Sequence, residues 1–320
     1  MNPIHIQSNS NEINTQSKHQ SSTIVLFGEV LADKFPDRSV LGGAPFNVAC
    51  HLQAFGLHPV LVTRVGNDYL RDELLASMVR SGMDTSGVQY DPVHPTGQVV
   101  VHMTQDGHRF EISPEQAYDY IDANLAHLIA SAVKPALIYF GTLAQRHHVS
   151  KYALNQLLQN VNVPHMLDIN LREPWYNESI LTHSLQLASI VKMNQDELIS
   201  IVQQLKLPGE HVAEQAAALI KHFALERLIV TNGAEGAWEV DTNGISMQVK
   251  GSTLTEALID TVGAGDGFAA VCILGMLQGW TSEHTLSRAN YFAAAICGIR
   301  GAIPENSTFY QPFRNSWGIG

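Results

Sequence analysis

Residues 258–270 read LIDTVGAGDGFAA. Three small residues, Gly263, Ala264 and Gly265, separate a polar turn from a run with the composition of a buried helix, and Asp266 falls in the first turn of that helix. Glycines let backbone N–H groups come close to a ligand, and a helix N-terminus carries unpaired donors and partial positive charge. The turn therefore suits an anion, with Asp266 beside it as a proton acceptor. An anion hole next to a base fits phosphoryl transfer to a hydroxyl group. Taken alone, the string fits equally well a glycine turn that caps a helix, with Asp favoured there by the helix dipole. It is not a Walker A loop, since no Gly-Lys-Ser/Thr follows. Nor is it a GxGxxG fingerprint, since Gly267 comes one position too early.

Bulk properties narrow the setting. A chain of 320 residues with 45% hydrophobic content can form one large α/β domain or two small ones. Its net charge of −11 argues against nucleic acid or an anionic membrane as a partner. Cys50, Cys272 and Cys297 lack metal-ligand spacing and lie in apolar helical stretches, as reduced core thiols of a cytoplasmic protein would. No apolar run reaches the ~18–20 residues of a membrane helix. Residues 1–22 are rich in Asn, Gln, Ser and His, with neither an apolar signal core nor Arg-rich amphipathicity, and are expected to form a disordered polar tail.

Along the chain, short apolar runs alternate with helical patterns, the signature of βαβ units around a largely parallel sheet. Thr23–Phe27 is a buried strand closed by Gly28-Glu29, and Asp33 follows near its carboxyl end, where ligands of open α/β sheets bind. In LGGAPFNVACHLQAFG, residues 41–56, Gly42 and Gly43 form a turn and Pro45 opens a helix that carries Asn47 in its first turn. Residues 59–66 make a second strand and 68–81 a helix. Residues 86–112 change character: 99–103 and 109–112 are strand-like around a turn at 105–108, a candidate lid on which Thr96, Gly97 and Phe110 can face a substrate. Edge extension of the main sheet is the plainer alternative.

Further strands are expected at 136–140, 163–170, 189–193 and 227–231. Asp168 and Asn170 are placed on one strand face by the period of two, and Arg172 in the loop beyond can bind substrate oxygens or pair with Asp168 or Glu173. Asn194 with Glu197 three residues on matches a capping box, and that reading is preferred over phosphate binding. Asn232 to Gly236 form a loop able to pass close to a nucleotide. A last helix is expected over 282–299, carrying Asn290. No linker divides the chain, so residues 23–312 are assigned to a single domain with an inserted β lid at about 33–41 and 86–112, and residues 313–320 to a tail.

The two glycine-containing segments, GGAPFNVA with VTRVGND and DTVGAGDGFAA, together resemble the signatures of the ribokinase-like (PfkB) sugar kinases. The resemblance runs in order over about residues 23–306. It implies a three-layer αβα sandwich with a small β-sheet lid. It also implies that Asp266 is the catalytic base and that the amides of Gly263, Ala264 and Gly265 form the anion hole. Asp33, Gly43 and Asn47 match the family's sugar contacts, with Gly42 beside them. Asn194 and Glu197 match residues near the phosphates and magnesium, the latter through water. Thr231, Gly233 and Gly236 match the nucleotide loop, and Asn290 the helix lining the adenine pocket. Asp260 and the Val262 carbonyl match a potassium-type cation site. Gly267 replaces the commoner Ala or Ser after the base, and the polar N-terminal segment lies outside the family pattern.

Within the family, GGAP followed by Phe-Asn, the GEVLAD entry and DINLREPW resemble the fructokinases. The expected activity is ATP- and magnesium-dependent phosphorylation of a sugar hydroxymethyl group, fructose to fructose 6-phosphate, with potassium as a candidate activator. Relatives acting on 2-keto-3-deoxygluconate share the DxNxR segment, where Arg172 would meet a carboxylate. A catalytically idle sugar- or nucleotide-sensing relative is the non-enzyme alternative. The helix dipole is expected to keep Asp266 ionised and facing a cleft shared with Asn47. Homodimerisation through the ribbon is expected, because its strands need an edge partner.

Overall fold

The computed structural model describes residues 23–34, 39–104, 107–252 and 258–319. Residues 1–22, expected as a polar tail, lie outside these, as do Gln105 and Asp106 at the ribbon turn. Strand β1 (Thr23–Phe27) leads into β2 (Leu31–Lys34), β3 (Ser39–Gly42) and helix α1 (Ala44–Ala54). There follow β4 (His58–Val65), α2 (Tyr69–Arg80), β5 (Val88–Tyr90), β6 (Gly97–Thr104) and β7 (Gly107–Ile112). Alternation resumes with α3 (Ala123–Val133), β8 (Leu137–Gly141), α4 (His148–Asn160), β9 (His165–Asp168), α5 (Glu178–Leu187), β10 (Ile190–Asn194) and α6 (Gln195–Gln204). The rest comprises α7 (Val212–Phe223), β11 (Arg227–Thr231), β12 (Gly236–Asp241), β13 (Gly244–Lys250), α8 (Ala264–Gln278), α9 (Ser282–Ile296) and α10 (Gln311–Trp317).

Among the described residues nine strands form one sheet in the order β13-β12-β11-β10-β9-β8-β1-β4-β5, parallel except for the antiparallel edge made by β12 and β13. Successive side chains of a strand point to opposite faces. Val25, Phe27, Ile138, Phe140, Val191 and Leu228 accordingly enter the core covered by α3 to α7. Ile24, Leu26, Tyr139, Met166, Ile190 and Ile229 enter the core covered by α1, α2 and α8 to α10. The result is the expected three-layer αβα sandwich. Helix α8 is apolar all round because it lies wholly inside one layer, buried from Asp266 to Gly275. Strand register aligns the carboxyl ends: Gly141 beside Asp168, Asp168 beside Lys192, and Asn194 beside Thr231. One edge of the sheet thus gathers the polar residues.

A second sheet, β3-β2-β6-β7, stands off this edge. It is mixed, with β2 and β6 parallel and the two outer pairs antiparallel. The lid is therefore built from β2, β3, β6 and β7, and its expected span is corrected in one part. Residues 88–90 belong to β5, which pairs in parallel with β4 at the edge of the main sheet. Two further expectations change at the carboxyl end. Helix α9 is not the last, and 313–320 is not a tail: Phe313 and Trp317, four residues apart on α10, share a face. Phe313 is buried, its ring 5.1 Å from that of Phe292, and Trp317 stacks on Phe55 at 5.5 Å. Phe313→Ala is expected to cost about 3 kcal/mol of unfolding free energy, the low end for a buried Phe because a terminal helix can fray. Denaturant titration checks this, and an unchanged midpoint would restore the tail reading.

Candidate active site

Helix α8 starts from Gly263, whose φ of 80° lies in the left-handed region. A Cβ at this position would fall 2.3 Å from the Cβ of Ala302, so conformation and space both demand glycine. Gly267 N–H closes the first intrahelical bond, to Gly263 O at 2.9 Å. The amides of Ala264, Gly265 and Asp266 precede it and have no partner within the helix, the arrangement that receives an anion. Ala264 N–H is less available than its two successors, because it also reaches Thr261 O at 3.3 Å.

Asp266 lies against α1, not among apolar side chains. Asn47 Nδ2 donates to Asp266 Oδ2 at 2.8 Å. The expected open cleft between these two side chains is replaced by direct contact, in which each satisfies part of the other. Helix α1 reaches this position because Gly43, with φ of 104°, turns the chain where a Cβ would come 2.8 Å from Glu29 O. Asp266 is 9% exposed, and burial pushes its carboxyl up to about 6 despite the Asn47 bond and the charges of Lys192 and Arg172. Loss of water outweighs the helix dipole, so Asp266 is a stronger base than expected, while a carboxyl at about 6 is still mostly ionised at neutral pH.

Two more carboxyl groups share the neighbourhood. Glu29, just past β1, is 5% exposed, and among the described residues its Oε2 has no hydrogen-bond partner. Burial pushes it up to about 7, with Arg172 opposing and Asp266 adding. Asp33, on β2, is pushed up to about 6 by burial, again opposed by Arg172. Gly42 pairs across from Leu31, and a Cβ on it would lie 3.9 Å from Asp33 Oδ2. Arg172 is exposed, so Glu29, Asp33 and Asp266 surround a cation at the rim. The partner of Asp168 is not Arg172 but Lys192.

Two expected substrate residues are placed differently, and the side chain of a third lies outside the described residues. Strand β9 ends at Asp168, and Asn170 takes φ of 42°, so the two do not share a strand face. Thr96 is fully buried, its hydroxyl accepting from Gly66 N at 2.9 Å and its amide donating to Asp68 Oδ2 at 2.8 Å. It fastens the root of the lid, and full burial keeps it from the open edge. Phe110 lies on β7 opposite Val101, and its side chain is outside the description.

Sequence reasoning passed over Lys192. Its Nζ contacts Asp168 Oδ1 and Oδ2 at 3.0 and 3.1 Å, and Tyr139 OH donates to Asp168 Oδ2 at 3.1 Å. A Cβ on Gly265 would lie 3.2 Å from that ammonium, which is therefore packed against the glycine turn. Burial disfavours its charge, but Asp168 and Asp266 outweigh burial and raise the group above its ordinary value. Tyr139, Asp168 and Lys192 all fall on the α8-facing parity of their strands. A lysine inside the apolar run Ile190–Met193 was the available signal.

On the other flank, Asn194 and Glu197 form the capping box in both directions, at 2.8 Å each. Glu197 Oε1 also accepts from Leu171 N at 2.9 Å, so this carboxylate fixes the loop that carries Arg172. Each Glu197 oxygen retains a lone pair, which suits a water-linked magnesium held mainly by a nucleotide's phosphates. Among the described residues no three His, Cys, Asp or Glu side chains form a metal cage. Thr231 lies beside Asn194, and Gly233 faces open space, since a Cβ there meets nothing within 4 Å. Gly236 is instead packed on Val249 and Gly251 inside the β12–β13 hairpin. Asn290 is buried, with Nδ2 3.4 Å from Lys250 O. Asp260 accepts from Val262 N and Gly301 N at 3.0 Å each, a brace for the turn before α8.

A family model for pfkB family carbohydrate kinases matches residues 16–308. The chain is 28% identical to a probable chloroplastic fructokinase-6 of Arabidopsis thaliana, over 91% of this chain and 82% of the relative. It is 26% identical to a 2-dehydro-3-deoxygluconokinase of Bacillus subtilis, over 79% of each. The fold superposes with a TM-score of 0.73 on a double mutant of Vibrio cholerae O395 fructokinase in its fructose-, ADP- and potassium-ion-bound form, at 22% identity, covering 91% of this chain and 98% of that one.

Proton acceptance by Asp266 requires its ionised form, so kcat/KM is expected to fall as pH drops through about 6. The Asn47 bond favours the charged form, and Asn47→Ala should therefore move this acid limb to higher pH. A pH–rate profile of both proteins checks the sign, and a limb that stays in place in the variant would contradict it.

Proposed function

The chain belongs to the pfkB family of carbohydrate kinases, and from that premise we propose that it transfers the terminal phosphoryl group of ATP to the hydroxymethyl group of fructose, giving fructose 6-phosphate. The observation that carries the chemistry is the Asn47–Asp266 bond at the amino end of α8. A hydroxyl that enters between these side chains donates to Asp266 and accepts from Asn47, replacing the bond they make with each other. Asp266 takes the hydroxyl proton as the oxygen bonds to the terminal phosphorus and the bond from that phosphorus to the bridging oxygen breaks, releasing ADP. The first-turn amides of α8 receive the charge on the phosphoryl oxygens, a kind of donor typically worth ~10²–10³ in rate. Glu197 would hold magnesium through water, and the ion would supply neutralisation of the phosphates' charge.

The charge balance favours a neutral ketose over a keto acid. Three carboxyl groups already surround Arg172, so an acceptor with its own carboxylate must compete with them for one exposed cation. A polyol instead supplies hydroxyl donors for Asn47 Oδ1 and Glu29 Oε2, buried acceptors with no protein partner. The fructokinase names among the relatives support the same choice. Nucleotide placement along Asn194, Thr231, Gly233, Gly236 and Asn290, and a potassium ion near Asp260 and the Val262 carbonyl, belong to this reading. So do a homodimer formed through the lid edges and a cytoplasmic setting, which the three free thiols suit. Among the described residues no helix is long and apolar enough to cross a membrane.

Asp266→Asn is expected to lower kcat by ~10²–10⁴ while ATP binding stays near normal. ADP release over a panel of fructose, 2-keto-3-deoxygluconate, ribose and nucleosides, with and without potassium, tests the substrate. Undiminished turnover in the variant removes the mechanism. Release with the keto acid and none with fructose replaces the substrate, and sugar binding without any ADP release would favour an idle relative.

A further inference from the structure

Phosphoryl transfer at Asp266 leaves a buried polar group behind Glu29 without employment. Tyr118 is fully buried, and among the described residues its hydroxyl has no hydrogen-bond partner. Its ring is packed at the root of the lid: a Cβ on Gly97 would lie 2.9 Å from two of its ring carbons and 2.4 Å from Val30 O. Tyr118 therefore rests against the backbone that immediately follows Glu29. Arg146 approaches from the turn before α4, a turn placed beside β1 by the 3.9 Å between a Cβ on Gly28 and the Cβ of Ala144.

Arg146 is held rigidly and yet incompletely. Its Nε and Nη2 donate to the two Asp119 oxygens at 2.7 Å each, and Nη2 also donates to Ser113 O at 2.8 Å. The guanidinium carbon lies 4.9 Å from the Tyr118 ring centroid and 4.3 Å from that of Trp175. Nη1 has no partner. Arg146 stands over the Tyr118 ring, and that ring packs beside the Val30 carbonyl next to Glu29, so the three residues are brought together by the root of the lid; the charges of Glu29 and Arg146 both bear on the Tyr118 hydroxyl. On the other side Glu29 feels Asp266, and Asn47 Oδ1 is likewise unpartnered.

A buried polar atom without a partner costs ~1–3 kcal/mol, and native proteins rarely leave several together unless water or a ligand completes them. Here the set is complementary rather than uniform. Glu29 Oε2 accepts, Arg146 Nη1 donates, and the Tyr118 hydroxyl does both. A single hydroxyl group, donating to one and accepting from another, satisfies this pattern better than any purely acceptor or purely donor ligand.

We propose that Glu29, Tyr118 and Arg146 form an inner polar subsite, continuous with the transfer site, that receives a hydroxyl of the acceptor sugar other than the one phosphorylated. The inference rests on the sugar-kinase reading and deepens it, because it assigns specificity to residues beyond the glycine turns. The subsite selects by hydrogen bonding, so a sugar lacking the matching hydroxyl leaves all three groups unpaired.

The test uses Tyr118→Phe, which removes one oxygen, and Glu29→Leu, which removes the accepting oxygens at similar size. Each should raise KM for fructose about tenfold, the loss carried by KM more than kcat, with KM for ATP unchanged. Against a set of monodeoxy sugars, the wild type should lose about tenfold on one particular analogue, and Tyr118→Phe should lose little further on that same analogue. Unchanged KM in Tyr118→Phe overturns the proposal and leaves a water-filled network. A rise in KM that couples to no deoxy position also overturns it, since that is a structural effect. If a different sugar is the substrate, the same cycle with that sugar decides this proposal while the fructose assignment alone fails. If no sugar is turned over, sugar-dependent thermal shifts replace KM, and a wild type that shows none overturns both readings.

Discussion

One hydrogen bond ties the molecule's two signature helices together. Asn47 lies near the start of α1 and Asp266 near the start of α8, 219 residues later, yet their side chains meet at 2.8 Å. Two helix N-termini can converge this way only if both helices cover one face of the sheet and begin at the same edge. The parallel order of β11 to β5 supplies the common edge, and the glycines at 43 and 263 supply the two close turns. Apolar packing of α1 and α8 around Phe46, Leu52, Phe268 and Val271 then fixes their separation. The fold therefore acts on the chemistry through geometry: it brings donors and a carboxyl to one point and removes water from them.

Removing water has an electrostatic consequence. Glu29, Asp33 and Asp266 all have carboxyl groups pushed upward by burial, each relieved in part by the single charge of Arg172. Like charges gathered in a poorly hydrated place favour a neutral, hydroxyl-rich occupant over an anion. The anion-receiving elements, by contrast, are dipoles and amides at the start of α8 and the open loop at Gly233. One edge of the sheet thus presents an acceptor-rich side and a donor-rich side. Molecules of opposite hydrogen-bonding character can then meet above Asp266.

Much of this was legible in the chain. Continuous apolar runs identify the buried parallel strands, and the glycine turns mark where helices begin, because those signals are local and periodic. The Asn194–Glu197 capping box is a three-residue pattern and stands as read. What failed depended on long-range placement. Residues 88–90 look like ribbon until β4 is known to need an edge neighbour. Phe313 and Trp317 look like a terminus until Phe55 and Phe292 are seen to face them. Asn170 fits a strand by its period of two, but the chain has already turned at Asp168 to bring Leu171 to Glu197. The upward shift of Asp266 was not readable at all, because burial depends on every element around it.

Lys192 shows why such a residue escapes notice and why it can still matter. A buried ion pair is poor evidence for stability, since taking both charges from water often costs as much as their attraction returns. On that ground the Lys192–Asp168 pair gives the fold little that two apolar residues would not. Its position changes the assessment. The ammonium is packed against the Gly265 turn, and it lowers the carboxyl of Asp266 while burial and Asp168 raise it. Without Lys192 the same burial would drive Asp266 further toward its neutral form, which cannot accept a proton. With Lys192 but without Asp168, an unpaired ammonium would lie in the apolar layer next to Cys272 and Ile229. The pair thus brings a positive charge to bear on Asp266 and neutralises the remainder, so a group of doubtful value to stability is accounted for by its effect on the carboxyl beside the Gly265 turn.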